Sequence, residues 1–460
     1  MRRVNKAFLL AALALAGCAH DPSSKPAGPA VPAAFSQAGA AADAKWAEAF
    51  GDPALLELIA QARRQSPDLV IARARQREAV ALLVAADAGD QPAVSVGAGL
   101  ESSRISLETG RIPLGVGIPR RTDVGALGVK ASWELDVWGR EAAKSNAAAA
   151  DARAAKFTAE QADLALSAEV ARLWFAVRGA REQLAFLETE FATRLREMEI
   201  VEKTVGAGLV DSDPLSSARL AAAQAKVDEG LGRRRLAAAE NALRALIGAA
   251  PGEKLPEAKG PAAMPAFGAG VPSELLLRRP DLAAAAARLD AAMSREGAAL
   301  ADFYPSVTLN GQAGWQADPA SRVGRGSSGF WSLTPSVDLP VFDAGRREAN
   351  LEAARARIDG SGAEWTKAVL GAFREVEDAL ADLRELALQE ELTGRVLAAV
   401  RIRLANAEAR RKAGLANENE VAVARRDEAM AARTLSMAAW ERRQVAVRLA
   451  AATGGGWSAK

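Results

Sequence analysis

Catalysis draws on a short set of side chains, and this chain is poor in the most versatile of them. Among 460 residues there is one cysteine, Cys18, one histidine, His20, and one tyrosine, Tyr304. A zinc site takes three or four Cys, His or carboxylate ligands at characteristic spacing, and a nucleophilic triad pairs Ser or Cys with a base, most often His. Cys18 and His20 stand two residues apart in a Pro- and Ser-rich N-terminal stretch with no framework to hold them, so neither chemistry is within reach. A single cysteine also excludes a disulfide framework. Glu377 and Asp378 form a carboxylate pair, but adjacent positions on a helix do not face one another, which makes them poor acid/base partners. No enzyme activity, cofactor or metal is expected. Lys and Arg number 59 against 57 Asp and Glu, a net charge of +2, and this balance leaves no electrostatic footprint for nucleic acid.

The setting of Cys18 gives it another chemistry. Arg2, Arg3 and Lys6 precede the apolar run from Ala7 to Leu15. That run falls far short of the roughly 20 residues needed to cross a bilayer and has the form of an export signal. Leu15-Ala16-Gly17-Cys18 resembles the lipobox of bacterial lipoproteins. The resemblance implies cleavage before Cys18, a diacylglycerol on its sulfur and an N-acyl (palmitoyl) chain on its new amino terminus. An ordinary signal peptide with a nearby cysteine is the alternative. Ala19, in place of the Asp that marks inner-membrane retention, points to the outer membrane. Asp21 to Pro32 reads as a tether, and no later run approaches 18 apolar residues.

The elements that follow come twice. Pro67-Asp68-Leu69 recurs as Pro280-Asp281-Leu282, and Pro92 to Val96 recurs as Pro305 to Leu309, both at an offset of 213. Gly139-Arg140 matches Gly345-Arg346 and Ala207-Gly208-Leu209 matches Ala413-Gly414-Leu415, both at 206. The seven-residue change falls once, between Pro92 and Gly139. Each copy reads as helix, two strands, long helix, glycine break, second helix. Residues Ala93 to Ile105 and Val124 to Val137 alternate with period two, as do Val307, Leu309, Gly311, Ala313 and Trp315, then Trp331, Leu333, Val337 and Leu339, which marks strands with one apolar face. After Gly139 the period becomes 3-4: Leu166, Val170, Leu173, Val177, Ala180, Leu184, Leu187, Phe191, then Met198, Val201 and Val205, a coiled-coil seam. A second seam runs from Val376 and Leu380 through Leu383 and Ala387 to Leu397, Val400, Leu404 and Ala407, with a polar gap around Glu390. From Gly139 to the glycine break the chain is long enough for about 100 Å of helix. Trp174 and Trp365, on these helices, are expected to pack.

Four strands cannot close a barrel, because spanning barrels begin at about eight, and an open sheet edge in lipid leaves backbone groups unsatisfied at several kcal/mol each. Either several chains share one barrel, or the strands form a small soluble sheet. At this point the chain resembles the TolC-like outer membrane factors of tripartite efflux systems, in their NodT-type lipoprotein branch. The residues that carry the resemblance are the lipobox, Leu277-Arg278-Arg279-Pro280-Asp281-Leu282, Phe303-Tyr304-Pro305-Ser306, Arg374 to Leu380, and Gly454-Gly455-Gly456-Trp457. It implies a mainly α protein with a membrane β-barrel part. Three copies would give four strands each to one twelve-stranded barrel, continued by a long α-helical tunnel through the periplasm. The implied partners are two further copies, a periplasmic membrane-fusion adaptor, an inner-membrane RND pump and outer membrane lipid.

By position in the resemblance, Leu404, Glu408 and Arg411 are the gate candidates at the periplasmic end; Glu408 with Arg411 as a plain surface ion pair is the other reading. Gly206, Gly208, Leu209, Gly414 and Leu415 are the candidate adaptor-docking tips, against a reading as bare turns. The expected divisions are a signal peptide (1–17), a lipid-anchored tether (18–45), a first repeat (46–250), a Pro-rich linker (251–272), a second repeat (273–453) and a C-terminal tail (454–460), with the linker and tail in a girdle around the tunnel. A periplasmic coiled-coil scaffold or adaptor lipoprotein without a barrel is the alternative function.

Overall fold

A computed structural model of the chain describes residues 21–37, 39–104, 121–207, 211, 213–258 and 260–458. Cys18, His20, Gly208 and Leu209 lie outside these residues. The elements run α1 (Pro53–Gln65), α2 (Pro67–Asp87), β1 (Ala93–Arg104), β2 (Arg121–Leu135), α3 (Arg140–Gly206), α4 (Asp213–Leu246), α5 (Pro272–Arg278), α6 (Pro280–Ala301), β3 (Ser306–Ala317), β4 (Gly329–Asp338), α7 (Arg346–Lys412) and α8 (Glu418–Ala452). The helices α3 and α7 each run 67 residues. The chain divides into two compact units.

The first unit takes residues 76–154 and 285–365 together with the N-terminal segment up to Gly28. Its sheet has the order β1-β2-β3-β4, antiparallel throughout, so the central pairing joins the last strand of one repeat to the first strand of the next. β1 and β3 stand at the 213 offset at both ends. The connection between β3 and β4 is five residues shorter than that between β1 and β2, and β4 is five residues shorter than β2. Three residues are added between β4 and Gly345. The seven-residue shift seen in the sequence is the net of these changes.

Beside the sheet, Leu289 and Ala292 of α6 bury against Ile358 of α7. The segment read as a free tether has contacts here. Both Ser23 N–H and Oγ–H donate to Glu296, at 2.9 and 2.7 Å, and Arg355 donates to the same carboxylate at 3.2 Å. Lys25 pairs with Asp290 at 2.8 Å. Gly28 lies so close to the Trp365 ring that a Cβ would meet it at 2.6 Å. Trp365 therefore packs, and short polar residues of the segment find fixed partners on α6 and α7.

The second unit takes residues 29–75, 155–284 and 366–460. Its core gathers Phe50, Leu55 and Leu58 with Trp174, Phe175 and Leu243, all fully buried. Full burial of side chains of this size contributes about 1.5–3 kcal/mol each. Helix α1 begins where Asp52 caps it and Pro53 supplies the preset first φ. The first seam is buried at Leu166, Val170, Val177 and Leu187, and is only half-covered at Met198, Val201 and Val205. The polar gap in the second seam holds an ion pair, Arg442 of α8 reaching Glu390 at 2.8 Å. Residues of the Pro-rich stretch, Leu255, Ala262 and Phe267, join the core or pack on it.

Candidate functional site

Registry gives the sheet two chemically distinct faces. On one face the aligned rows are Val94–Ala131–Gly311–Leu333, Val96–Val129–Ala313–Trp331 and Ala98–Leu127–Trp315. Trp133–Leu309 and Leu135–Val307–Val337 continue it toward the helices. The rows of the other face are Ser95–Lys130–Gln312–Ser332, Ser132–Asn310–Thr334 and Glu134–Thr308–Ser336. The apolar face is open: Val96 is 75% exposed, Leu100 84% and Trp331 78%. From Leu127 to Leu135 it rises about 26 Å along the strand, close to the roughly 25 Å apolar band of a spanning barrel. Trp315 and Trp331 stand toward one end of the band and Trp133 toward the other. Ser102, Arg104, Arg121 and Asp123 continue the same face beyond it.

The outer edges of β1 and β4 have no strand partner among the described residues. The polar face carries a row without side chains, Gly97–Gly128–Gly314, ending at Phe330. A Cβ on Gly314 would fall on the carbonyl oxygen of Leu127, and one on Gly128 would meet Ala313 O at 2.8 Å. Only glycine fits where the strands approach this closely.

Below the sheet, Gly139 turns the chain with φ +76°. Asp136 then caps α3 by accepting from the N–H groups of Glu141 and Ala142, at 3.1 and 2.8 Å. Arg140, the second residue of the repeated Gly-Arg, bonds Glu134 at 2.6 Å and Asp302 at 3.4 Å. The Trp138 indole donates to Pro305 O at 2.8 Å and its ring stacks on Tyr304 at 4.8 Å. The lone tyrosine is thus a packing partner in the joint between strands and helices.

The gate candidates lie together on α7, but Glu408 and Arg411 do not pair with one another. Glu408 accepts from Arg425 at 2.8 Å and Arg411 bonds Glu418 at 2.7 Å, both partners on α8. Arg401–Glu428 and Arg403–Asp427 bind the same two helices. These pairs are solvent-exposed and contribute about 0–1 kcal/mol each. Leu404 is half-buried beside them.

Of the tip candidates, Gly414 has φ +74°. Its N–H bonds Arg411 O at 3.0 Å and that of Leu415 bonds Arg410 O at 2.8 Å, the paired bonds of a Schellman stop. Leu415 is 69% exposed. Gly206 ends α3 without a positive φ.

Two buried charged hubs of the second unit went unread in the sequence. Asp52, 4% exposed, accepts from Ala54 and Leu55 N–H, from the Trp174 indole at 2.8 Å and from Arg178 at 2.7 Å. Arg279 bonds Asp281 twice, at 3.0 and 2.7 Å, Glu375 at 2.8 Å and Ala452 O at 3.0 Å. Burial works against that charge, but hydrogen bonds and charge from Asp281 and Glu375 outweigh it and hold the guanidinium above its ordinary pKa. The Arg279-Pro280-Asp281 motif thereby ties the start of α6 to α7 and to the end of α8.

Comparison with known proteins assigns this arrangement. The model of the outer membrane efflux protein family matches residues 58–249 and 271–455. The cation efflux system protein CusC of Escherichia coli (strain K12) is 32% identical over 459 residues, 97% of this chain and 98% of that protein. The toluene efflux pump outer membrane protein TtgF of Pseudomonas putida is 32% identical over 351 residues, 74% and 70% of the two chains. The crystal structure of the open state of the Neisseria gonorrhoeae MtrE outer membrane channel superposes with a TM-score of 0.84 at 26% identity, covering 96% of this chain and 99% of that one. With family matches on both sides of the Pro-rich stretch and a channel structure superposing on nearly the whole length, the chain belongs to the outer membrane efflux protein family, the outer membrane channels of efflux systems.

Proposed function

We propose that three copies of the chain join their sheets into one twelve-stranded barrel, forming the passive exit duct of a tripartite, RND-type efflux system. The observation that carries this reading is the register. It places most of the large apolar side chains of the sheet on one open face and leaves the outer edges of β1 and β4 without a strand partner among the described residues. An apolar face of this height belongs in lipid, and in lipid a bare edge is not tolerated. Joining β1 of one copy to β4 of the next satisfies both edges, and a ring of such contacts closes.

In this reading Cys18 carries the diacylglycerol and N-acyl chains that anchor the protein to the outer membrane. Leu404, Glu408 and Arg411 narrow the periplasmic mouth. Gly206, Gly208, Leu209, Gly414 and Leu415 form the tips that meet a periplasmic adaptor, through which the inner-membrane pump delivers cargo. Relatives bear names of cation and of toluene efflux on one shared frame, so the frame does not select the cargo.

The test is the mass and secondary structure of the full-length protein purified in detergent. A trimer that resists heating in mild detergent and has substantial β content supports the duct. A monomer released in soluble form by high salt and cleavage of the lipid anchor would replace it with the scaffold reading.

A further inference from the structure

The polar face of the sheet carries a single cationic side chain among its described strand positions, Lys130, and the carboxylates of that face, Glu101, Glu134 and Asp338, stand at other levels. The row Ser95–Lys130–Gln312–Ser332 is flanked on one side by Ser132–Asn310–Thr334 and on the other by Gly97–Gly128–Gly314–Phe330. Lys130 is exposed and is the one charge in these three rows. It makes no ion pair among the described residues. The carboxylates nearest along the strands are Glu134, four positions toward the helices, and Glu101, whose partner Val124 lies six positions toward the hairpin tip. At about 3.3 Å per residue these stand roughly 13 and 20 Å away. Glu134 is already engaged by Arg140 at 2.6 Å. The glycine row beside Lys130 presents no side chain to cover it.

We propose that Lys130 is a selectivity residue of the duct: three copies form a cationic ring in the barrel lumen that favours passage of anionic over cationic solutes. The proposal rests on the closed-barrel reading above. Three like charges roughly 10 Å from a common axis in water, screened over a Debye length of about 10 Å at 0.1 M salt, favour a monovalent anion over a monovalent cation by about five-fold at the ring. The preference grows as salt falls and the Debye length lengthens.

The test is the reversal potential of the purified full-length protein in planar bilayers under a KCl gradient, for the wild type, Lys130→Gln and Lys130→Glu. The expected result is a fall of about five-fold in the chloride-to-potassium permeability ratio for K130Q, a further fall for K130E, and wider differences at lower salt. Pores of all three proteins with one shared reversal potential at low salt would overturn the ring and leave the duct standing. A wild-type trimer that forms no pore would overturn the duct reading and the ring with it.

Discussion

Removing the Asp52 carboxylate has a cost that can be assembled from its four contacts. Asp52→Ala takes the cap from α1, worth about 1 kcal/mol. It leaves the fully buried Trp174 indole N–H without its acceptor, at about 1–3 kcal/mol. Arg178 loses one partner but keeps Gly260 O at 2.6 Å and the Trp440 ring at 4.8 Å. Its share therefore falls below the full 3–5 kcal/mol of a broken buried pair. Because these contacts share one carboxylate they do not simply add, and the expected total is about 4 kcal/mol. With an unfolding entropy near 2.1 cal/mol/K per residue, and either the second unit or the whole chain melting together, the midpoint falls by about 4–7 °C.

The assay is thermal unfolding of the purified protein in detergent, followed by far-ultraviolet circular dichroism. Asp52→Asn keeps one oxygen as the acceptor for the cap but sets an amide NH2 against the indole and Arg178 donors that share the other oxygen, and is expected to recover only the cap's share of about 1 kcal/mol. Arg178→Met added to Asp52→Ala is expected to cost little more than Asp52→Ala alone. A midpoint for Asp52→Ala within about 1 °C of the wild type would refute the hub, since no measurable share of the cap, indole and ion-pair terms would then be present.

Four further expectations follow. Gly314→Val places atoms on the Leu127 carbonyl and is expected to abolish trimers and barrel β content while leaving the helical signal; trimers at wild-type yield count against the close approach. Burial of Glu296 opposes its charge, but hydrogen bonds from Ser23 and the Arg355 charge outweigh it and hold the carboxyl below its ordinary pKa. The contribution is complete above the ordinary Glu value near 4.3 and is lost as pH falls through the lower folded value. Proteolysis at residues 21–28 is therefore expected to rise only below about pH 4, or at neutral pH in Glu296→Gln; equal cutting in both proteins at every pH would remove Glu296 as the clasp. Glu408→Ala with Arg411→Ala, which removes only exposed pairs to α8, is expected to raise single-channel conductance, and Leu209→Glu with Leu415→Glu to abolish adaptor crosslinking with trimers intact. Unchanged conductance or normal crosslinking would sink the respective assignment.

What the sequence made legible was set by periodicity. Strands announce themselves by period two, and β1 and β2 begin and end within a few residues of the expected spans Ala93–Ile105 and Val124–Val137. The seam positions Val170, Val177, Val376 and Leu380 are among the most buried residues, because a 3-4 spacing can only mean a shared helix face. Pairing is another matter. That Leu127 lies against Trp315 depends on two strands almost 190 residues apart, and no local pattern encodes their register. Charged partners are hard to read from sequence for a related reason. Glu408 and Arg411 stand three apart on one helix, yet the neighbouring helix offers Arg425 and Glu418 in better positions. The burial of Asp52 and Arg279 has no local signature, since a buried carboxylate or guanidinium differs from an exposed one only in what surrounds it.

The sheet's open apolar face has a consequence for the life of the newly exported chain. A single copy displays Val96, Leu100, Trp331, Leu333 and Val337 to water, together with two strand edges that have no partner among the described residues, the combination that templates aggregation. The chain in transit is thus a hazard until it meets both its siblings and a bilayer, and its safe lifetime in water is limited by how soon they are found.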